Sequence, residues 1–325
     1  MRRKRVKVES GAYYHLVSRC ALKQFLLEEE EKRVFVGMMR RVASFSGVEV
    51  LTHCVMTNHF HILVRVPGPR EVTEGELLAR VASLYGDERA KDMRIRWEGC
   101  RKEGHPELVE AEQARLRKRM NDITPFMQSL KQRFTAWYAV HHPDHEGTLW
   151  QSRFSSTLVE GGGSLAAVAA YIDLNPVRAG IVSDPKDYVF SGYGAASQGD
   201  TDARKGLSGV YGSTDANYDK VLKAYRGLLY AEGAADLDPA EVRKVLADRE
   251  KPSLPQLLRC KIRAMSHGLA IGSKAFTAGI FASHRYAFSE NRRHPPLGAP
   301  LCPAWDGIQL CSVRKLRKNA FTLPA

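Results

Sequence analysis

Two histidines, His59 and His61, stand two residues apart in the run HFHILVRV (59–66). The run reads as a strand, whose side chains alternate between faces, so both imidazoles project to the same side. Neutral imidazoles placed in this way can share one divalent metal. A lone His-x-His is also common on strands that bind nothing. Here Ile62, Val64 and Val66 make the remainder of the strand apolar, and two polar rings at its start need a purpose. A second set lies downstream: Tyr171 and Asn175, four apart at the end of LAAVAAYIDL (165–174), share one helix face. Taken alone, a tyrosine on an alanine-rich helix is usually core, with its hydroxyl at a hydrogen-bond partner. An asparagine before a proline is usually a terminator.

These residues need elements to hold them. Residues 12–19 (AYYHLVSR) alternate as a strand. Residues 28–46 carry Val34, Phe35, Met38, Met39 and Val42 at helical spacing, and Gly47 ends that helix. The β-type runs 48–55 and 59–66, separated by Met56-Thr57-Asn58, predict a hairpin that Pro67-Gly68-Pro69 closes. From about 70 to 122 the chain is dense in Glu, Arg and Lys, and reads as an insertion of solvent-exposed helices. Phe126, Leu130, Phe134 and Tyr138 then predict a helix from Thr124 or Pro125 to His141-His142-Pro143. Residues 154–159 are a further strand. Ser164 is positioned to cap the helix that carries Tyr171, and Asn175-Pro176 to end it. This order gives an α+β domain over 1–195, an antiparallel sheet with flanking helices. Residues 196–216, rich in Gly, Ser, Asp and Thr, read as a linker. Beyond it, 217–325 reads as a basic C-terminal helical region, with helices over 217–231, 239–250, 254–266 and within 269–288, and an irregular tail from 289.

The 325 residues suit one to two domains, and 44% hydrophobic with 26% charged residues rules out wholesale disorder. No apolar run approaches the ~20 residues of a membrane span. The opening MRRKRVKVES is basic with no apolar stretch behind it, which argues against a secretory signal and for a cytoplasmic, nucleoid-associated protein. Lysine plus arginine number 49 against 36 acidic residues, a net charge of +13. That balance suits a polyanionic partner, because phosphate neutralisation releases counterions. The six cysteines (20, 54, 100, 260, 302, 311) form no CxxC pair and read as reduced thiols rather than a zinc site.

Read together, AYYHLVSRC (12–20), HCVMTNHFHILVRVP (53–67), FMQSLKQRFTAWY (126–138), GTLWQSRFSS (147–156) and YIDLNPVRAGIV (171–182) form a recognisable set. The chain resembles the HUH endonuclease superfamily, and within it the REP-associated tyrosine transposases related to single-tyrosine insertion-sequence transposases. The resemblance implies that His59, His61 and the Asn175 side-chain oxygen bind Mg²⁺ or Mn²⁺. It implies Tyr171 as the nucleophile on single-stranded DNA, leaving a 5′-phosphotyrosine link and a free 3′-hydroxyl. The implied substrate is a repetitive extragenic palindrome folded as a hairpin. Such chemistry suits these residue types. Free tyrosine has a pKa of roughly 10 and is a poor nucleophile at neutral pH, so a divalent metal must polarise the phosphate. A covalent phosphotyrosine conserves the broken bond, so strand transfer is possible besides hydrolysis.

Further DNA contacts are expected from the basic arm Arg2, Arg3, Lys4 and Arg5, from Arg19, Lys131, Arg133 and Arg178, and from Trp150 with Arg153, which combine stacking surface with a guanidinium. Each also has an ordinary reading, as a solvated charge or, for Trp150, as core. His15 and His53, on neighbouring strands, could stand behind the metal ligands as hydrogen-bond partners, but ordinary structural roles suit them better, and neither Glu49 nor Asp173 is singled out for proton transfer. A monomer and a homodimer are both compatible with the pattern. The competing class is a non-catalytic hairpin-binding protein descended from such an enzyme, against which the intact His59, His61, Tyr171 and Asn175 set argues.

Overall fold

The alternation of HFHILVRV and its neighbours produces a sheet with two chemically different faces. The computed structural model describes residues 6, 8, 11–68, 70–213, 217–230, 254, 258–259, 261–262, 265–266, 268–285, 311–312 and 321–322. β1 (Ala12–Arg19), β2 (Glu49–Val55), β3 (His59–Val66) and β4 (Ser155–Val159) pair antiparallel, with β1 central between β3 and β4. The β2–β3 hairpin is the expected one.

On one face, Tyr14, Leu16, Phe60, Ile62 and Val64 meet α1 (Glu29–Ser46) and α5 (Ile123–His141) in an aromatic core. The Phe35 ring lies 4.5 Å from Phe60 and 5.2 Å from Phe134, centroid to centroid. α1 starts on a capping box, the Glu28 amide donating to Glu31 at 2.9 Å. It stops at Gly47, whose φ of 64° only glycine adopts without strain. On the other face lie His15, Val17, Arg19, Cys54, His59, His61, Leu63 and Thr157, as the pairings Val17↔His61, Arg19↔His59, Cys54↔His61 and His15↔Thr157 require. α6 (Gly163–Asp173) covers this face.

Several expectations need correction. The stretch 70–122 forms α2 (Glu74–Tyr85), α3 (Asp87–Lys102) and α4 (Pro106–Arg117), but it is not a solvent layer. Leu77, Val81, Trp97, Val109 and Leu116 are buried in the same core as Phe35. Their sparse spacing hides in a charged background that is itself paired, as where Arg96 and the Trp97 indole N–H both donate to Glu112. The supposed linker holds α8 (Gly192–Ser197) and α9 (Thr201–Val210). Its small residues serve contact rather than flexibility: a Cβ on Gly206 would sit 2.5 Å from the Leu51 carbonyl oxygen, so α9 lies directly on β2. α6 begins before Ser164, which does not cap it, and Asn175-Pro176 opens a further turn, α7 (Asn175–Arg178), because proline suits the first positions of a helix.

Beyond residue 216, α10 (Tyr218–Tyr230) appears as expected. Residues 269–288 hold α11 (Lys274–Ser283) but open on a strand, β6 (Ala270–Gly272), which joins β4 in parallel and carries β7 (Cys311–Ser312) on its outer side. The sheet is therefore mixed, in the order β2-β3-β1-β4-β6-β7, and residues well past 195 complete it. The helix expected over 239–250 and most of 289–325 lie outside the described residues. The helix expected over 254–266 is interrupted, because Lys261–Ile262 form β5, which pairs antiparallel with β8 (Phe321–Thr322) in a separate two-stranded sheet. No helix among the described residues is long and apolar enough to cross a membrane.

Candidate active site

Strand pairing brings a third histidine to the two that the motif supplies. His15 on β1 is fully buried, and its Nε2 lies 2.8 Å from His61 Nδ1. The two rings stack with centroids 5.0 Å apart, and His61 and His59 meet edge to face at 5.1 Å. Hydrogen bonding sets the tautomers. His15 Nδ1 lies 2.7 Å from the Met265 carbonyl, which only accepts, so Nδ1 carries the proton and Nε2 the lone pair. That lone pair takes the Nδ1–H of His61, which leaves the His61 lone pair on Nε2. His59 Nδ1, 2.6 Å from the Asn58 side-chain oxygen, is likewise the protonated nitrogen. Both motif histidines thus carry their lone pair on Nε2, the state a metal ligand needs. Burial pushes the His61 pKa well below the usual imidazole range, with the neighbouring His15 and His59 acting in the same direction, so the ring stays neutral.

Tyr171 reaches this cluster from α6. Its ring is 2% exposed and packs edge-on to His15 at 6.5 Å, and its hydroxyl is 3.4 Å from Ser266 Oγ. Arg178, seven residues on at the end of α7, folds back beneath it. The guanidinium lies 4.0 Å from the centre of the Tyr171 ring and donates to the Tyr171 and Leu258 carbonyls, both at 2.7 Å. Asn175 donates its amide to the Ile172 carbonyl at 2.9 Å, which turns Oδ1 away from the end of α6. His59, His61, His15 and Tyr171 therefore form one continuous run of rings.

The ligand set that the resemblance implies, two imidazoles and one amide oxygen, suits a divalent cation chemically, and among the described residues no group of three His, Cys, Asp or Glu side chains stands ready for a metal. A site of that kind supplies no negative charge of its own, so the balancing anion must arrive with the substrate.

The other expected contact residues are dispersed. Arg19 ends β1 directly opposite His59. Lys131 donates to the Ser152 carbonyl at 2.8 Å and sits 5.1 Å from the Trp150 ring, with Arg153 exposed nearby. Trp150 is half-buried, its indole N–H held by Thr135 at 2.9 Å. Arg133 points elsewhere, over Tyr85 at 4.7 Å. Arg178 is buried against Tyr171 and does not face solvent. Arg2, Arg3, Lys4 and Arg5 lie outside the described residues.

Glu49 is an exposed partner of Arg65. Asp173 is wholly buried on the far side of α6, where Thr52, the Tyr193 amide and the Tyr225 hydroxyl donate to it and burial raises its pKa to about 7. His53 alternates with Thr52 and Cys54 and so lies on the other face of the sheet. Sequence reading set His15 aside in favour of an ordinary structural role and missed Ser266 as a neighbour of Tyr171. The parity of His15 in its strand was available, but the pairing of β1 with β3 was not.

The family described as "Transposase IS200 like" matches residues 8–75, from just before β1 to the start of α2, and so includes His15, His59 and His61. No curated protein matches the chain. Among solved structures, the chain is similar to one described as "Structure of the REP associates tyrosine transposase bound to a REP hairpin", at 15% identity, covering 60% of this chain and 84% of that one with a TM-score of 0.39. Over the segment that carries the histidine cluster, this chain matches the IS200-like transposases.

Proposed function

We propose that the protein is a metal-dependent, single-tyrosine endonuclease and strand transferase acting on hairpin-forming single-stranded DNA. The observation that carries this reading is the His15–His61–His59 relay. It sets both motif histidines with their lone pairs on Nε2, and its inner member, His15, packs against Tyr171, the tyrosine that the sequence pattern marks as nucleophile. The family match over residues 8–75 and the +13 net charge support a DNA substrate. Its hairpin form rests on the resemblance of the motifs to REP-associated tyrosine transposases.

His59, His61 and the Asn175 oxygen would hold Mg²⁺ or Mn²⁺, which when bound polarises the scissile phosphate and offsets charge on its oxygens. The remaining work falls to the chain. Tyr171 Oη forms a bond to phosphorus, the P–O3′ bond breaks, and the phenolic proton is balanced by protonation of the departing 3′-oxygen. Arg178 acts as a positioning residue: stacked under the ring and bonded to the Tyr171 carbonyl, it restricts how the phenol turns. The 5′-phosphotyrosine that results can be attacked by a 3′-hydroxyl, which reverses or transfers the break.

The competing reading, a hairpin-binding protein without catalysis, draws on the deep burial of Tyr171. Incubating end-labelled hairpin DNA with the protein and Mn²⁺, then separating under denaturing conditions, decides between them. A protein–DNA adduct that disappears in Tyr171→Phe is the expected result. Adduct formation equal in both proteins, or none in the wild type, rejects the catalytic assignment.

A further inference from the structure

A groove of about 700 Å³ runs along the outer side of α5, closed on its other side by residues 150–154. It lies on the α5 side of the sheet, opposite the face that carries the histidines. Its floor is apolar, and the functional groups along it are Gln128, Lys131, Gln132, Thr135, Trp150 and Arg153. Two are cations, and no carboxylate lines it. Gln128 and Gln132, four apart and exposed, present two primary amides along one helix edge. Trp150 is held rigid: Thr135 takes its indole N–H, and Phe35, Phe60 and Phe134 back its ring at 5.5–6.4 Å. The groove also connects physically to the histidine site. Trp150 bridges to Cys20, Gln151 donates to the Arg19 carbonyl, and Arg19 stands opposite His59.

We propose that this groove is a subsite for unpaired nucleotides of the DNA strand, with a base laid against Trp150, backbone phosphates met by Lys131 and Arg153, and base edges read by Gln128 and Gln132. An aromatic shelf flanked by cations is how sequence-tolerant single-strand sites are built. Amide side chains at fixed spacing add base discrimination, since an amide can both donate to and accept from a base edge. α5 is long enough for several nucleotides, because residues 124 to 139 cover fifteen steps, or about 22 Å at 1.5 Å per residue. A strand leaving the groove past Gln151 and Arg19 passes round the end of β1 to His59. The inference rests on the DNA reading above and adds where the unpaired part of the substrate runs.

The test compares a blunt hairpin with the same hairpin carrying a short unpaired flank, by fluorescence anisotropy at fixed salt. Wild type should bind the flanked form about tenfold or more tightly. Arg153→Glu and the double variant Gln128→Ala/Gln132→Ala, all at exposed positions, should reduce that advantage several-fold. A flank bearing 5-iodouracil should photocrosslink to peptides containing residues 128–132 or 150–154. An unchanged advantage in the variants, or crosslinks that map elsewhere, overturns the subsite while the Tyr171 adduct assay leaves the catalytic reading standing. If wild type binds neither DNA, both fall.

Discussion

The two faces of one sheet are built from alternate residues of the same strands, yet they are nearly opposite materials. Toward α1 and α5 the strands present Leu16, Phe60, Ile62 and Val64, a dry aromatic core. Toward α6 they present His15, His61, Cys54 and Thr157, all buried and all polar or weakly so. Burying polar groups destabilises a fold unless each finds a partner. His15, His61 and Thr157 do, through Met265, one another and Gly268. The apolar face holds the fold together, whereas the polar face is tolerated for what it can do, a division also visible in its dependence on partners from far along the chain.

If that division is correct, substitutions on the two faces should fail differently. The largest expected loss of stability is on the apolar face: Phe134→Ala, which empties the centre of the Phe35–Phe60–Trp150 cluster, should cost about 3–5 kcal/mol in denaturant unfolding. An equally large loss from Tyr171→Phe would break the comparison. His53, the buried histidine on the apolar side, should come next. Burial lowers its folded pKa from 6.5 to about 4. The unfolded chain therefore takes the proton first. The stability tied to the neutral ring is complete above about pH 6.5 and is lost as pH falls through 4, on the order of 3 kcal/mol in all. His53→Gln should flatten that part of the stability–pH curve, and an unaltered curve would show that His53 is not its source.

On the polar face the effects should appear in binding instead. His15→Gln, which removes the acceptor that sets the His61 tautomer, should weaken Mn²⁺ binding about 10–100-fold by titration calorimetry. The same affinity as wild type would mean that the relay does not orient His61. The smallest change in stability should belong to Tyr171→Phe, less than about 1 kcal/mol, because the ring and its packing are kept and the hydroxyl's contact with Ser266, at 3.4 Å, is long for a hydrogen bond. The same substitution should remove the DNA adduct completely.

Much of this was legible in the sequence, for physical reasons that particular residues make clear. Period-two alternation placed His59 and His61 on one face, and the four-residue spacing of Phe126, Leu130, Phe134 and Tyr138 found α5. Local patterns carry such information because backbone geometry sets them. The role of His15 was illegible because it depends on which strand lies beside β3, a contact 46 residues away. α2–α4 misled because eight buried apolar residues spread over three helices among many charges look like a solvent face until their partners are known. Gly206 misled in the same way, since a glycine that permits close approach of α9 to β2 is written like one that permits motion. β6, three residues long, is too short to show any periodicity.

The closing of the polar face by Ser266 has a consequence in time. Tyr171 leaves the ribosome 95 residues ahead of the serine that meets its hydroxyl, and 80 separate Arg178 from Leu258. At about 5–20 residues per second, that is an interval on the order of 5–20 s. The aromatic face has all its principal parts by residue 159 and can assemble during that interval, but Tyr171 waits. A newborn chain therefore passes through a stage in which its sheet is largely built and its tyrosine is not yet seated, and any rare-codon pause before residue 266 would lengthen that stage directly.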